Sequence, residues 1–110
     1  MESQLSLQGR VAIVTGAGRG VGAAMARALA EAGARVCVSD LNPDRAERLA
    51  EEIAAAGGQA FAFQADVSNK FQVAALIEAA RDRFGGLHIL VNHAHVSPRD
   101  DFLTMDEWAW

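Results

Sequence analysis

Residues 10–22 read Arg10-Val-Ala-Ile-Val-Thr-Gly-Ala-Gly-Arg-Gly-Val-Gly22. A short apolar run stops at Thr15 and passes into a glycine-rich turn, which opens onto an alanine-rich segment. This order predicts a strand, a tight turn and a helix N-terminus, an arrangement that aims backbone N–H groups and the helix dipole at a phosphate. The glycines allow the turn, the approach of backbone to a pyrophosphate, and the packing of the helix on the strand.

The bulk composition excludes several classes of protein. A chain of 110 residues predicts one domain, residues 1–110. A net charge of −4 gives no reason to expect nucleic acid or an anionic membrane as a partner. No apolar run approaches the ~18 residues of a membrane span, and the N-terminus lacks the features of a signal peptide. The single cysteine, Cys37, lies in an apolar run and is predicted to be a buried, inert thiol. A cytoplasmic protein is expected.

Four short apolar runs alternate with longer segments of helical period. The runs are almost continuously apolar, which is typical of parallel strands covered on both faces. Right-handed crossovers between them favour an α/β fold, a Rossmann-like doubly wound parallel sheet with strand order 3-2-1-4. The runs cover residues 11–14, 35–39, 60–64 and 87–91.

The segments between the runs predict three helices, each with one apolar stripe that faces the core. Asn42 and Pro43 predict the N-cap and first position of the second helix, and glycines follow all three segments. The predicted stripes are Val21, Met25, Ala28 and Leu29, then Ala46, Leu49, Ala50 and Ile53, then Val73, Leu76, Ile77, Ala80 and Phe84.

An acidic residue, Asp40, follows the second predicted strand. A carboxylate at this distance from a glycine loop accepts hydrogen bonds from the ribose hydroxyls of an adenine dinucleotide. It also repels a 2′-phosphate, which favours NAD over NADP. The alternative is that Asp40 assists the start of the next helix, although Asn42 already fills that role.

The longer pattern Thr15-Gly16-x-x-x-Gly20-x-Gly22, directly after an apolar strand, resembles the cofactor loop of the short-chain dehydrogenase/reductase family. The resemblance implies that the loop residues, Arg19 and Val21 included, hold the dinucleotide. In that family a basic residue at the position of Arg19 often accompanies NADP; the alternative is a solvated surface charge.

Three further places extend the resemblance along the chain. Leu41, after Asp40, is not basic, so NAD remains the expected cofactor and NADP the less favoured one. The pair Asp66-Val67 resembles the adenine contact of the family; without the family it reads as a strand-to-helix turn with caps. Asn92 and Ala94 match a family motif, Asn-Asn-Ala-Gly, behind the fourth strand.

Two histidines, His93 and His95, replace an asparagine and a glycine of that motif. The glycine normally lets backbone lie close to the cofactor ribose, so an imidazole at residue 95 is expected to turn aside or crowd the site. Two ligands are too few for a closed zinc site, and no metal is expected. A third histidine, His88, is predicted to lie within the fourth strand as a core residue.

The resemblance covers nearly the whole chain but only the first half of the family's length, which implies that the sheet is truncated after the fourth strand. The family's catalytic asparagine, serine and Tyr-x-x-x-Lys motif lie beyond residue 110; this sequence has no tyrosine, and its one lysine is Lys70. No catalytic residue is therefore assigned, and the chain alone is not expected to be a competent enzyme. It is expected to be the NAD-binding part of an oxidoreductase that transfers hydride between NAD(H) and an alcohol or ketone. The alternative is a non-catalytic, nucleotide-binding module that pairs with a homologous subunit or a missing C-terminal half through its open sheet edge.

Overall fold

A four-stranded parallel sheet forms the centre of the protein. The computed structural model describes residues 6–93. The strand order is β3-β2-β1-β4, as the sequence predicts, and β1 pairs with β2 on one side and with β4 on the other. The strands are β1 (Val11–Thr15), β2 (Arg35–Ser39), β3 (Gln59–Ala62) and β4 (Ile89–Asn92).

Three helices cover both faces of the sheet, which makes the fold Rossmann-like and doubly wound. The helices are α1 (Gly20–Glu31), α2 (Pro43–Ala55) and α3 (Lys70–Phe84). Because side chains alternate along a strand, Val36 and Val38 pack with α1 and α2, whereas Cys37 between them packs with α3. Every residue of β1 is buried, which explains why its sequence is continuously apolar before Thr15.

The predicted faces of α2 and α3 are confirmed. Ala46, Leu49, Ala50 and Ile53 of α2 are buried, as are Val73, Leu76 and Ala80 of α3. The side chain of Asn42 caps α2 by accepting hydrogen bonds from the N–H groups of Asp44 and Arg45. The left-handed Gly85 ends α3.

The predicted face of α1 is wrong. Val21 and Ala28 are exposed, and the buried residues are Gly22, Ala23 and Ala26. Residues without a bulky side chain allow the helix axis to approach β1 closely, so this helix turns its small residues toward the sheet. The larger Met25 and Leu29 of the predicted stripe are half-buried and pack at the margin of the core.

Cys37 is fully buried in the sheet, as predicted. Burial in an apolar environment disfavours the thiolate and raises the pKa of the Cys37 thiol to about 12. The thiol therefore stays protonated and unreactive at neutral pH. Within the part of the chain that the structure describes, no helix is long and apolar enough to cross a membrane.

The prediction for His88 is wrong, because this residue precedes β4 and is exposed. Its backbone N–H donates to the Val11 carbonyl at 2.9 Å, and its ring Nδ1 accepts the Val11 N–H at 2.9 Å. The imidazole thus supplies an acceptor for the N–H of Val11, the first residue of β1, on the side of β4. His88 fastens the start of β4 to the start of β1.

Replacing His88 with alanine is expected to lower the free energy of unfolding by about 1 kcal/mol, because the N–H of the buried Val11 loses its acceptor. Urea denaturation measures the change. His88→Asn is the matched variant, since its Oδ1 lies the same number of bonds from Cα as Nδ1 does, and it should keep most of the stability. Equal losses in the two variants would contradict this role for the ring nitrogen.

Candidate functional site

The candidate residues gather at the carboxyl edge of the sheet. Thr15 and Asn92 end β1 and β4 and are register partners, while Asp40 directly follows β2. The chain runs from β1 to β2 on one side and later returns to β4 on the other, so this edge is the point where the strand order reverses. In open α/β sheets, ligands bind in the crevice at such a point.

The glycine loop between β1 and α1 has the backbone that its sequence demands. Gly16 and Gly20 adopt φ angles of 62° and 64°, in the left-handed region that favours glycine. A Cβ at Gly20 would face open space, so the loop presents bare backbone outward at this point. A Cβ at Gly22 would clash with the carbonyl oxygen of Gly16 and come within 3.0 Å of its carbonyl carbon. Gly22 therefore lets α1 begin directly against the loop.

The N-terminus of α1 differs from those of the other two helices. Asn42 and Asn69 cap α2 and α3 with their side chains, but Arg19, the N-cap residue of α1, makes no side-chain capping bond. Arg19 is extended, with φ −165° and ψ 170°, and is exposed. Within residues 6–93, the first N–H groups of α1 thus receive no capping bond from the N-cap side chain, and such groups at a helix N-terminus suit an anion.

Asp40 lies half-buried between the glycine loop and the turn that leads to α2. Its Oδ2 accepts a hydrogen bond from the Gly18 N–H at 2.8 Å, and its Oδ1 accepts one from the Asn42 N–H at 2.9 Å. Asp40 therefore supports the backbone of the helix start, as the alternative reading expected, but it also reaches across to the loop. The bond to Gly18 is not visible in the sequence.

A second contact that the sequence did not reveal joins the loops after β2 and β3. The Gln64 side chain donates from Nε2 to the carbonyl oxygen of Leu41 at 2.9 Å. The Leu41 side chain is 62% exposed, and Val21 in the glycine loop region is 58% exposed. Gln64 ends a predicted apolar run, and its polar side chain at this position is the one feature of the sequence that points to such a contact.

Asp66 forms a compact turn after β3. Its Oδ1 accepts hydrogen bonds from the Ser68 hydroxyl at 2.7 Å and the Ser68 N–H at 2.9 Å, and these two bonds lower the pKa of the carboxyl. The Asp66 N–H donates to Gln72 Oε1 at 2.8 Å. Asn69 rather than Asp66 caps α3, and Val67 is half-buried. The Asp66 carboxylate is therefore ionised at neutral pH and lies, half-buried, in the loop that follows β3.

Thr15 connects β1 with the residues that follow β4. Its hydroxyl donates to Asn92 Oδ1 at 2.8 Å and accepts the His93 N–H at 2.9 Å. The hydroxyl is buried, so these bonds fix the direction in which the chain leaves β4. Ala94 and His95 lie outside the described residues.

Direct hydrogen bonds therefore join three pairs of segments: the glycine loop with Asp40, Leu41 with Gln64, and Thr15 with Asn92. Asp66 stands on the loop after β3, beyond Gln64. One buried polar atom at this edge, Ser39 Oγ, has no hydrogen-bond partner among residues 6–93.

The comparison with protein families identifies the fold and its lineage. The family model described as short chain dehydrogenase matches residues 10–110. The chain belongs to this family. The match includes the glycine loop, all four strands and every candidate site residue, so the short-chain dehydrogenase resemblance expected from the sequence is confirmed.

Relatives with assigned names support the membership. An uncharacterized oxidoreductase of Methylorubrum extorquens is 50% identical over 91 residues, 82% of this chain and 37% of that protein. The 7alpha-hydroxysteroid dehydrogenase of Escherichia coli K12 is 46% identical over 90 residues, 82% of this chain and 35% of that protein. The chain thus spans little more than a third of the length of these relatives.

Solved structures of relatives match the described fold. A hydroxysteroid dehydrogenase from Escherichia coli gives a TM-score of 0.80 at 44% identity, over 83% of this chain and 39% of that one. A 7alpha-hydroxysteroid dehydrogenase complexed with NADH and 7-oxo glycochenodeoxycholic acid gives 0.79 at 44% identity, over 84% of this chain and 37% of that one. A 7alpha-hydroxysteroid dehydrogenase similar to this chain therefore binds NADH.

Proposed function

We propose that this chain is the NAD-binding part of a short-chain oxidoreductase, which in its full length transfers hydride between NAD(H) and an alcohol or ketone. The observation that carries the proposal is the glycine loop, whose bare backbone at Gly20 adjoins a helix N-terminus without a side-chain cap. In this proposal residues 1–110 belong to one nucleotide-binding domain. The location proposed for it is the cytoplasm, which suits a protein whose single cysteine is a buried free thiol.

In this proposal the residues at the carboxyl edge of the sheet bind the pyrophosphate and the adenosine ribose of a dinucleotide. The pyrophosphate would lie against the backbone of Thr15, Gly16 and the segment 19–22. Asp40 would accept hydrogen bonds from the adenosine ribose hydroxyls, because each carboxylate oxygen has a lone pair beyond the one that its backbone hydrogen bond uses. The NAD nicotinamide ring, when bound, supplies the hydride chemistry.

The two ends of the dinucleotide would meet different loops. Leu41, Asp66 and Val67 would surround the adenine, with Leu41 offering its exposed apolar side chain. Asn92 and Ala94 would contact the nicotinamide ribose, since Asn92 ends β4, which pairs with β1 on the side opposite β2. No residue is assigned a catalytic role or a metal.

NAD is the proposed cofactor rather than NADP. A 2′-phosphate would stand close to the Asp40 carboxylate, and two like charges within a few ångströms repel each other. Leu41 supplies no opposing cation, and Arg19 is an exposed side chain that neutralises a phosphate only in part because solvent screens it.

Calorimetric titration of the purified chain tests the proposal. We expect NAD and ADP-ribose to bind with dissociation constants in the millimolar range or below, and NADP to bind more weakly. We expect no turnover of alcohols or ketones. Circular dichroism establishes that the titrated protein is folded. A folded chain that binds neither NAD nor ADP-ribose at millimolar concentration would contradict the proposal.

A second candidate function rests on the exposed edge of β4. Within residues 6–93, β4 pairs with β1 alone, and Ile89 and Leu90 are only half-buried. Such an edge suits pairing with a homologous subunit or with a separate C-terminal half, in which case the chain would be a non-catalytic nucleotide-binding module. Co-expression with a full-length relative, followed by size-exclusion chromatography, tests it. A chain that elutes alone as a monomer would remove the support for this candidate.

A further inference from the structure

Gly18 lies at a point of close approach between two segments of the site. It is not among the glycines with a left-handed φ, so its backbone does not require glycine. A Cβ at this position, however, would stand 2.5 Å from Asp40 Oδ2 and 2.6 Å from Arg45 Cβ. Real Cβ atoms essentially never come so close to another atom. A side chain at Gly18 would therefore displace the Asp40 carboxylate and press on Arg45 Cβ.

The contact between these residues is a directed bond as well as a close packing. Asp40 Oδ2 accepts the Gly18 N–H at 2.8 Å, while Oδ1 accepts the Asn42 N–H at 2.9 Å. Bonds from N–H groups to an ionised carboxylate are roughly twice as strong as neutral ones. One half-buried carboxylate thus ties the middle of the glycine loop to the start of α2.

We infer that Asp40 is a positioning residue for the pyrophosphate as well as a ribose acceptor: it holds the glycine loop in its binding conformation through Gly18. This inference rests on the proposed function. Its consequence is that the ribose and pyrophosphate subsites are coupled through one side chain. A group that displaces Asp40, such as a 2′-phosphate, then also releases the loop. The affinity for NAD should therefore exceed that for NADP by more than charge repulsion alone would cause.

The decisive comparison uses two nucleotides that share the adenine and the pyrophosphate but differ in the ribose. ADP has the 2′- and 3′-hydroxyls that would donate hydrogen bonds to Asp40, and 2′,3′-dideoxy-ADP lacks them. If Asp40 acts only on the ribose, Asp40→Ala weakens ADP and leaves dideoxy-ADP unchanged or slightly tighter, since a negative charge is removed. If Asp40 also holds the loop, the variant weakens both ligands, and we expect a loss of about tenfold for dideoxy-ADP.

Two further variants complete the set. Asp44→Ala removes the same charge from the first turn of α2, where Asp44 is exposed, and should change dideoxy-ADP affinity less than about twofold. Gly18→Ala keeps the Asp40 carboxylate but displaces it, and should weaken dideoxy-ADP as Asp40→Ala does. Unchanged dideoxy-ADP affinity in both Asp40→Ala and Gly18→Ala would overturn the inference.

A measurement on the free protein separates this inference from the proposed function. Amide hydrogen exchange of Gly18 should accelerate about tenfold in Asp40→Ala, because its N–H loses an acceptor, and should be unchanged in Asp44→Ala. Equal Gly18 exchange in wild type and Asp40→Ala would overturn the inference even if ADP binds. A wild-type chain that binds neither nucleotide contradicts the proposed function and, with it, the ligand coupling; accelerated exchange would then support only the hold on the loop.

Discussion

The Gly22→Ala variant should lose about 3 kcal/mol of the free energy of unfolding, since the new methyl group has no space. Its Cβ would clash with the Gly16 carbonyl oxygen and lie 3.2 Å from Ala17 Cα, and both neighbours are backbone that cannot rotate away. Alanine normally stabilises a helix relative to glycine by up to about 1 kcal/mol, so the clash must exceed this gain. Urea denaturation followed by circular dichroism measures the loss.

Gly86→Ala is the matched control for this prediction. Gly86 has no left-handed φ, and a Cβ there would meet its nearest atom, His88 Cε1, at an ordinary 3.5 Å. The same substitution should therefore change the free energy of unfolding by less than about 1 kcal/mol, with stabilisation the expected direction. If Gly22→Ala were as stable as Gly86→Ala, α1 would not begin as close to the loop as described.

The second large effect is expected at Thr15. Thr15→Val keeps the shape of the side chain but deprives the His93 N–H and Asn92 Oδ1 of their partner, at a cost of about 2 kcal/mol. The loss is also local: amides at the end of β4 should exchange faster, because the hydroxyl fixes the chain as it leaves the sheet. Denaturation and hydrogen exchange measure the two effects.

Ser39→Ala is the control that isolates hydrogen bonding from the loss of a buried hydroxyl. Ser39 is buried at the same edge of the sheet, but its Oγ has no partner within the described range 6–93. Its removal should leave the free energy of unfolding within about 0.5 kcal/mol or raise it. If Thr15→Val and Ser39→Ala had equal effects, the bonds from Thr15 would not contribute to stability.

The sequence predicted the sheet because its strands lie in short apolar runs and because α2 and α3 carry clear apolar stripes. Asn42 capped α2 as expected, and Leu49 and Leu76 turned inward on α2 and α3. The prediction for α1 is wrong because the larger residues, such as Val21, do not define the buried face of this helix; its small residues do. Because Gly22 packs closely against the glycine loop, the small residues of α1 face the core and Val21 is exposed.

The positions of the site residues followed from strand order, but their contacts did not. Strand order alone brings Thr15, Asp40 and Asn92 to one edge, because parallel strands end on the same side. The bonds from Asp40 to Gly18 and from Gln64 to Leu41 depend on loop conformations and join residues far apart in the chain. The ring of His88 could not be predicted to act as a backbone acceptor, since histidine in an apolar run suggests burial.

The proposed function requires that the glycine loop binds the pyrophosphate of a dinucleotide. Titration of the ¹⁵N-labelled chain with NAD tests it residue by residue. We expect the largest changes in amide chemical shift at residues 16–22, with smaller changes around Asp40 and Leu41. Shift changes centred instead on the groove between α1 and α2, where Arg27 pairs with Glu52, or no changes in a folded chain at millimolar NAD, would contradict it.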